Sequence, residues 1–145
     1  MKKYLLVVLI ILIGWVYIGH LFSPGSYAGA ETYELPITES ELISIIQKFK
    51  RENQVYQVPS YISLPDHRDD HWYVIYFYFP EEKRIIYTWT RPSEGDKTTF
   101  ALVSVKDGFE RHWKKVEDLD RDDRRSLILK FEGRILDDIR ERINF

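Results

Sequence analysis

Six consecutive residues, Asp66-His67-Arg68-Asp69-Asp70-His71, hold the densest set of ligating side chains in the sequence. Imidazoles and carboxylates together are a donor set that zinc or manganese accepts. Histidines four apart share one face of a helix, so a helical segment would let His67, Asp70 and His71 converge with Asp66 on one ion. A metal-dependent hydrolase is the activity such a site would support. Three features argue instead for a solvated loop. Pro65 and Arg68 intrude, the spacing matches no established metal signature, and the β-forming run that follows draws His71 into extended chain. The expectation is therefore no metal and no cofactor, with His67, Asp70 and His71 as weak candidates only.

Other catalytic chemistries have less support. The chain has no cysteine, which excludes a thiol nucleophile, a zinc ribbon and a disulfide scaffold. No G-x-S-x-G elbow, H-E-x-x-H pair or glycine-rich phosphate loop is present. The acids Asp118, Asp120, Asp122 and Asp123 interleave with Arg121, Arg124 and Arg125, the pattern of a solvated helix start. The reading is non-enzymatic.

The unusual compositional feature is aromatic content, 15% of residues with ten tyrosines and four tryptophans. Much of it falls in the run from His71 to Phe79 and its return from Arg84 to Thr90, which predict two strands joined by Pro80-Glu81-Glu82-Lys83. If Phe79 faces Arg84, Tyr76 pairs with Tyr87 and Val74 with Trp89. Alternation then splits the hairpin into two sets. Tyr73, Ile75, Phe77, Phe79 and Ile86 suit a core. Trp72, Val74, Tyr76, Tyr78, Ile85, Tyr87 and Trp89 make a second face, and its tyrosines and tryptophans tolerate partial exposure because each carries a polar group. Trp72, Tyr76, Tyr78, Tyr87 and Trp89 are thus the candidate binding residues, with Trp72 and Trp89 as stacking platforms if the ligand is a sugar. The competing reading buries this face under the long segment 54–71, in which Val55 to Asp70, with Pro59 and Pro65, is expected to be irregular.

The elements that must position these residues follow from periodicity. Thr38-Glu39-Ser40-Glu41 fits a capping box, and Leu42, Ile45, Ile46 and Phe49 give an amphipathic helix ending near Asn53. After the hairpin, Thr98 to Lys106 predicts a third strand, Asp107-Gly108 a tight turn, and Phe109 to Lys115 a fourth strand. Asp120 can cap a last helix to about Arg142, with Ile128, Phe131, Ile135 and Ile139 as its apolar stripe. Gly133 within it suggests close packing on the sheet. The expected class is α+β: an α-β-β-β-β-α domain over 38–145, whose antiparallel meander is packed by two helices. Two helices can cover one face of such a sheet and not easily both.

Ahead of that domain, Lys2 and Lys3 precede an uncharged run from Tyr4 to Phe22. As a helix this run spans roughly 28 Å, close to the hydrocarbon thickness of a bilayer. Residues 1–22 are therefore expected to be a single-pass transmembrane anchor, and 23–37 a linker. Positive charge only on the N-terminal flank places the N-terminus in the cytoplasm and the domain outside, periplasmic in a two-membrane bacterium. A secreted product cut after Ala30 is the alternative, since Ala28-Gly29-Ala30 has the small-x-small form of a cleavage site.

The chain carries a formal charge of −2, and with Lys2 and Lys3 set aside the part from Glu31 onward stands at −4. No basic stripe appears, so nucleic acid is not expected as a partner. The expected function is a membrane-anchored, extracytoplasmic protein-binding or accessory module. An immunity-type inhibitor of a toxin, a carbohydrate- or peptide-binding module and the hydrolase above are the alternatives.

Overall fold

Thr38 and Glu41 set the start of the first helix. The Thr38 amide donates to Glu41 Oε2 at 3.2 Å and the Thr38 hydroxyl to the same atom at 2.5 Å. These bonds hold the Glu41 carboxyl below its usual pKa and start helix α1 (Glu39–Glu52), whose Leu42, Ile46 and Phe49 are buried. The structure, a computed structural model, describes residues 29–108 and 110–144. Its strands are β1 (Glu31–Leu35), β2 (His67–Arg68), β3 (Tyr73–Phe79), β4 (Arg84–Pro92), β5 (Thr98–Asp107) and β6 (Lys114–Lys115). The last helical stretch runs as α2 (Arg121–Phe131), a π segment (Glu132–Leu136) and α3 (Asp137–Ile143).

The domain is α+β with one antiparallel sheet ordered β1-β5-β4-β3-β2, and β6 follows β1 along the same edge of β5. Both helical layers lie on one face. Leu42, Ile46 and Phe49 from α1, and Leu127, Phe131, Ile135, Leu136 and Ile139 from the last helix, join Ile75, Phe77, Phe79, Ile86, Phe100 and Leu102 in one apolar core. Asp120 caps α2 by accepting the amides of Asp122 and Asp123. Charged side chains then tie the hairpin to that helix. Arg84 bridges Asp107 and Asp123, while Lys130 and Arg134 both reach Glu82.

Four sequence expectations need correction. Residues 31–35, assigned to the linker, form an edge strand, because Tyr33 and Leu35 turn into the core while Thr32 and Glu34 turn out. The segment 54–71 is not wholly irregular: it holds two 3-10 turns and the short strand β2. Of the fourth meander strand only Lys114–Lys115 is strand among the described residues: the chain does turn at Gly108 (φ 46°), where the Glu110 amide donates to the Asp107 carbonyl at 2.8 Å, but pairing with β5 resumes only at Lys114. Gly133 does not pack on the sheet: a Cβ built there meets no atom within 4 Å.

Alanine at 133 enters open space without a left-handed backbone to strain, so Gly133→Ala should stabilise the domain by about 0.5–1 kcal/mol through the unfolded state. Urea unfolding checks it, and a loss of stability would show that the π segment needs glycine.

The anchor expected over 1–22 falls outside the described residues. Among the described residues, no helix is long and apolar enough to cross a membrane.

Candidate functional site: the helix-free face of the sheet

The hairpin register is the one expected. Phe79 faces Arg84, Tyr76 faces Tyr87 and Val74 faces Trp89, so the Phe/Ile set meets the helices and the Tyr/Trp set lies on the opposite face. A bulge adjusts β5 to this arrangement. Tyr87 pairs with Ser104 but Thr88 with Leu102, leaving Val103 as an extra residue. Leu102 and Val105 stay in the helix-side core, while Val103 joins the cluster on the other face.

This face has three parts. At one end Trp89 is only 1% exposed and stacks on Trp72 with ring centroids 5.4 Å apart. Ala30, Ala101, Val103 and Tyr87 pack with the pair, and the Arg91 guanidinium lies over Trp89. Trp72 and Trp89 therefore form a small second core in which Trp89 is buried and offers no free stacking face, while Trp72 is partly exposed. The tryptophan that this face exposes is Trp113, at 38%.

In the middle, Tyr76, Tyr87 and Trp113 form a triangle with centroids 5.6, 5.8 and 6.0 Å apart. They border a hollow of about 480 Å³ whose polar rim includes His67, Asp69 and Ser104. At the far end a second hollow, about 420 Å³, has walls of Tyr61, Ile62, Tyr78 and Ile85 and a rim of Lys83, Lys106 and Arg111. Lys106 links the two, because its ammonium lies 6.0 Å from the Trp113 ring.

The segment 54–71 was a candidate cover for this face. Instead it wraps the edge of the sheet. Tyr56 packs on the helix side against Phe49 and Phe79, whereas Tyr61 and Ile62 reach the second hollow. Between them Asp66 and Lys50 close the outer edge of β3. Asp66 accepts the Tyr76 amide at 3.0 Å, and Lys50 donates to the Tyr76 carbonyl at 2.9 Å and to Asp66 at 2.6 Å. Burial, with Asp66 nearby, pushes the Tyr76 phenol above its usual pKa, so it stays neutral. With both backbone groups of Tyr76 occupied, this stretch of edge does not offer itself to an added strand.

The residues of the histidine–aspartate cluster have separate contacts. Asp66 is committed to Lys50 and the Tyr76 amide. His67 Nδ1 lies 3.1 Å from the Pro65 carbonyl, the Asp70 amide donates to Asp69, and His71 sits edge-on to Trp72. Among the described residues, no three His, Asp or Glu side chains stand close enough to hold a metal ion.

Sequence reasoning placed Tyr76, Tyr78 and Tyr87 on this face and missed Tyr61, Trp113 and the three cations. Comparison with family models, curated proteins and solved structures finds no match for this chain.

Proposed function

We propose that this chain is a membrane-anchored, extracytoplasmic, non-enzymatic module that docks another protein on the helix-free face of its sheet. The observation that carries the reading is the pair of adjoining hollows on that face, bordered by Tyr61, Tyr76, Tyr87 and Trp113 and joined through Lys106. Tyrosine, tryptophan and cationic side chains around hollows are the composition of protein-binding hot spots. Closure of the β3 edge by Lys50 and Asp66 favours docking on the face over pairing at the edge. The anchor rests on the uncharged run 4–22 behind Lys2 and Lys3. Ala30 packs on the Trp89 cluster, which brings the folded unit within a few residues of the tether.

Crosslinking capture of the full chain from its native membrane tests this, with a Tyr61→Ala/Trp113→Ala variant alongside. Both side chains lie outside the helix-side core, at 78% and 38% exposure, so the variant should lose some stability with the Trp113 contacts but remain folded, which its unfolding curve checks. The expected result is one stoichiometric partner that the variant loses. A partner retained equally by the folded variant, or none with either protein, contradicts the reading.

A further inference from the structure

We propose that the hollow between Tyr61 and Lys106 takes an acidic peptide segment that inserts one apolar side chain, an inference that rests on the docking reading above. The walls are apolar or aromatic: Tyr61, Ile62, Tyr78 and Ile85. The rim is cationic, with Lys83, Lys106 and Arg111, and its one acid, Glu110, reaches Lys114 at 3.5 Å. None of the three rim cations has an ion-pair partner among the described residues. Elsewhere the domain pairs many of its cations: Lys50, Arg84, Arg134 and Arg142 all meet carboxylates. The part from Glu31 onward is acidic overall, at −4. Three unmatched cations around one apolar hollow therefore run against the sign of the domain. That is the arrangement that attracts and orients an anionic partner.

The dimensions select a peptide. At about 420 Å³ the hollow lies at the low end of ligand-sized pockets, room for one large side chain. Beyond Lys106 the Trp113 hollow, about 480 Å³, continues along the same face. An extended peptide sends alternate side chains to one side roughly every 6–7 Å, so one residue can fill the hollow while flanking carboxylates reach the cations.

The test uses the full chain in zwitterionic detergent, with methyl and amide NMR of Ile62, Ile85 and Lys106 as the readout. The probe is acetyl-Glu-Asp-Phe-Asp-Glu-amide. Controls are the same peptide with glycine for phenylalanine, a lysine-flanked phenylalanine peptide, and the soluble lipid dihexanoyl phosphatidylglycerol. The acidic phenylalanine peptide should shift these three residues and bind about tenfold tighter than either control peptide. Lys106→Glu/Arg111→Glu, both at solvent-accessible positions, should weaken it by about tenfold with the unfolding midpoint unchanged. Equal binding of the control peptides, or shifts confined to other parts of the domain, would overturn the proposal. So would a response to the lipid with none to the peptide, which would assign the hollow to a membrane surface. If the peptide fails while Tyr61→Ala/Trp113→Ala still abolishes partner capture, docking on this face stands and only the acidic-peptide chemistry falls.

Discussion

Replacing Phe131 with alanine is expected to cost about 3–5 kcal/mol, the range for deleting a fully buried aromatic ring. Phe131 is 0% exposed and sits where the helical layer meets the sheet. Its ring centroid lies 5.6 Å from Phe100, 6.0 Å from Tyr33 and 6.3 Å from Phe77, so one side chain from α2 holds β5, β1 and β3 together. The cavity left by alanine would be walled by three rings fixed in a sheet, which cannot collapse inward. A domain stable by about 5–15 kcal/mol would lose a large share of its margin. Phe131→Leu keeps most of the volume and should cost about 1–2 kcal/mol. Urea unfolding followed by tryptophan fluorescence measures both. A cost below about 1 kcal/mol for alanine would mean that this packing is not the centre of the core.

Arg84→Ala should destabilise by about 2–3 kcal/mol, the upper part of the range for partly buried pairs. The side chain is 13% exposed and forks between two carboxylates that are 31% and 34% exposed. It donates to both oxygens of Asp107, and to Asp123 at 2.7 and 3.2 Å. The bonds to Asp107 first, and those to Asp123, raise the guanidinium pKa further above its already high value. Removing the arginine leaves two partly desolvated carboxylates facing each other without a cation, at the point where the β4–β5 hairpin meets α2. Repulsion, more than the lost bonds, then dominates the cost. Asp107→Asn/Asp123→Asn in the Arg84→Ala background should therefore recover more than half of the loss. Arg84→Lys should recover little, because an ammonium cannot fork to two carboxylates in fixed planes. A full effect that the asparagines do not relieve would place the cost in lost alkyl packing instead.

How much of this was legible in the sequence follows from how local each signal is. The hairpin register came from a four-residue turn between two unbroken β-forming runs, and it correctly separated the core set of Phe77 and Phe79 from the set of Tyr76 and Tyr87. The caps at Thr38 and Asp120 were equally local. Strand β1 was hidden because its five residues carry only two inward side chains, Tyr33 and Leu35, between a Gly/Ala-rich stretch and Pro36. Alternation was present there but too short to stand out against the tether. The candidate site was half legible. Tyr76, Tyr78 and Tyr87 are neighbours along two strands, but Tyr61, Lys83, Lys106 and Arg111 meet only through folding. Trp113 was obscured by the expectation that a strand follows directly on the Asp107-Gly108 turn, which would have placed it within a long strand. Burial of Trp89 could not be read either, since its covers, Trp72 and Ala30, come from opposite ends of the sheet topology.

Photo-crosslinking by position distinguishes the proposed docking on the helix-free face from docking elsewhere on the domain. A benzophenone amino acid would replace Trp113 in one full-length variant and Leu129, 60% exposed on α2, in another. Both would be irradiated in the native membrane. Docking on the helix-free face predicts a discrete crosslinked species from position 113 and none from position 129. Crosslinking from 129 with none from 113 would place the working surface on the helical side and contradict it.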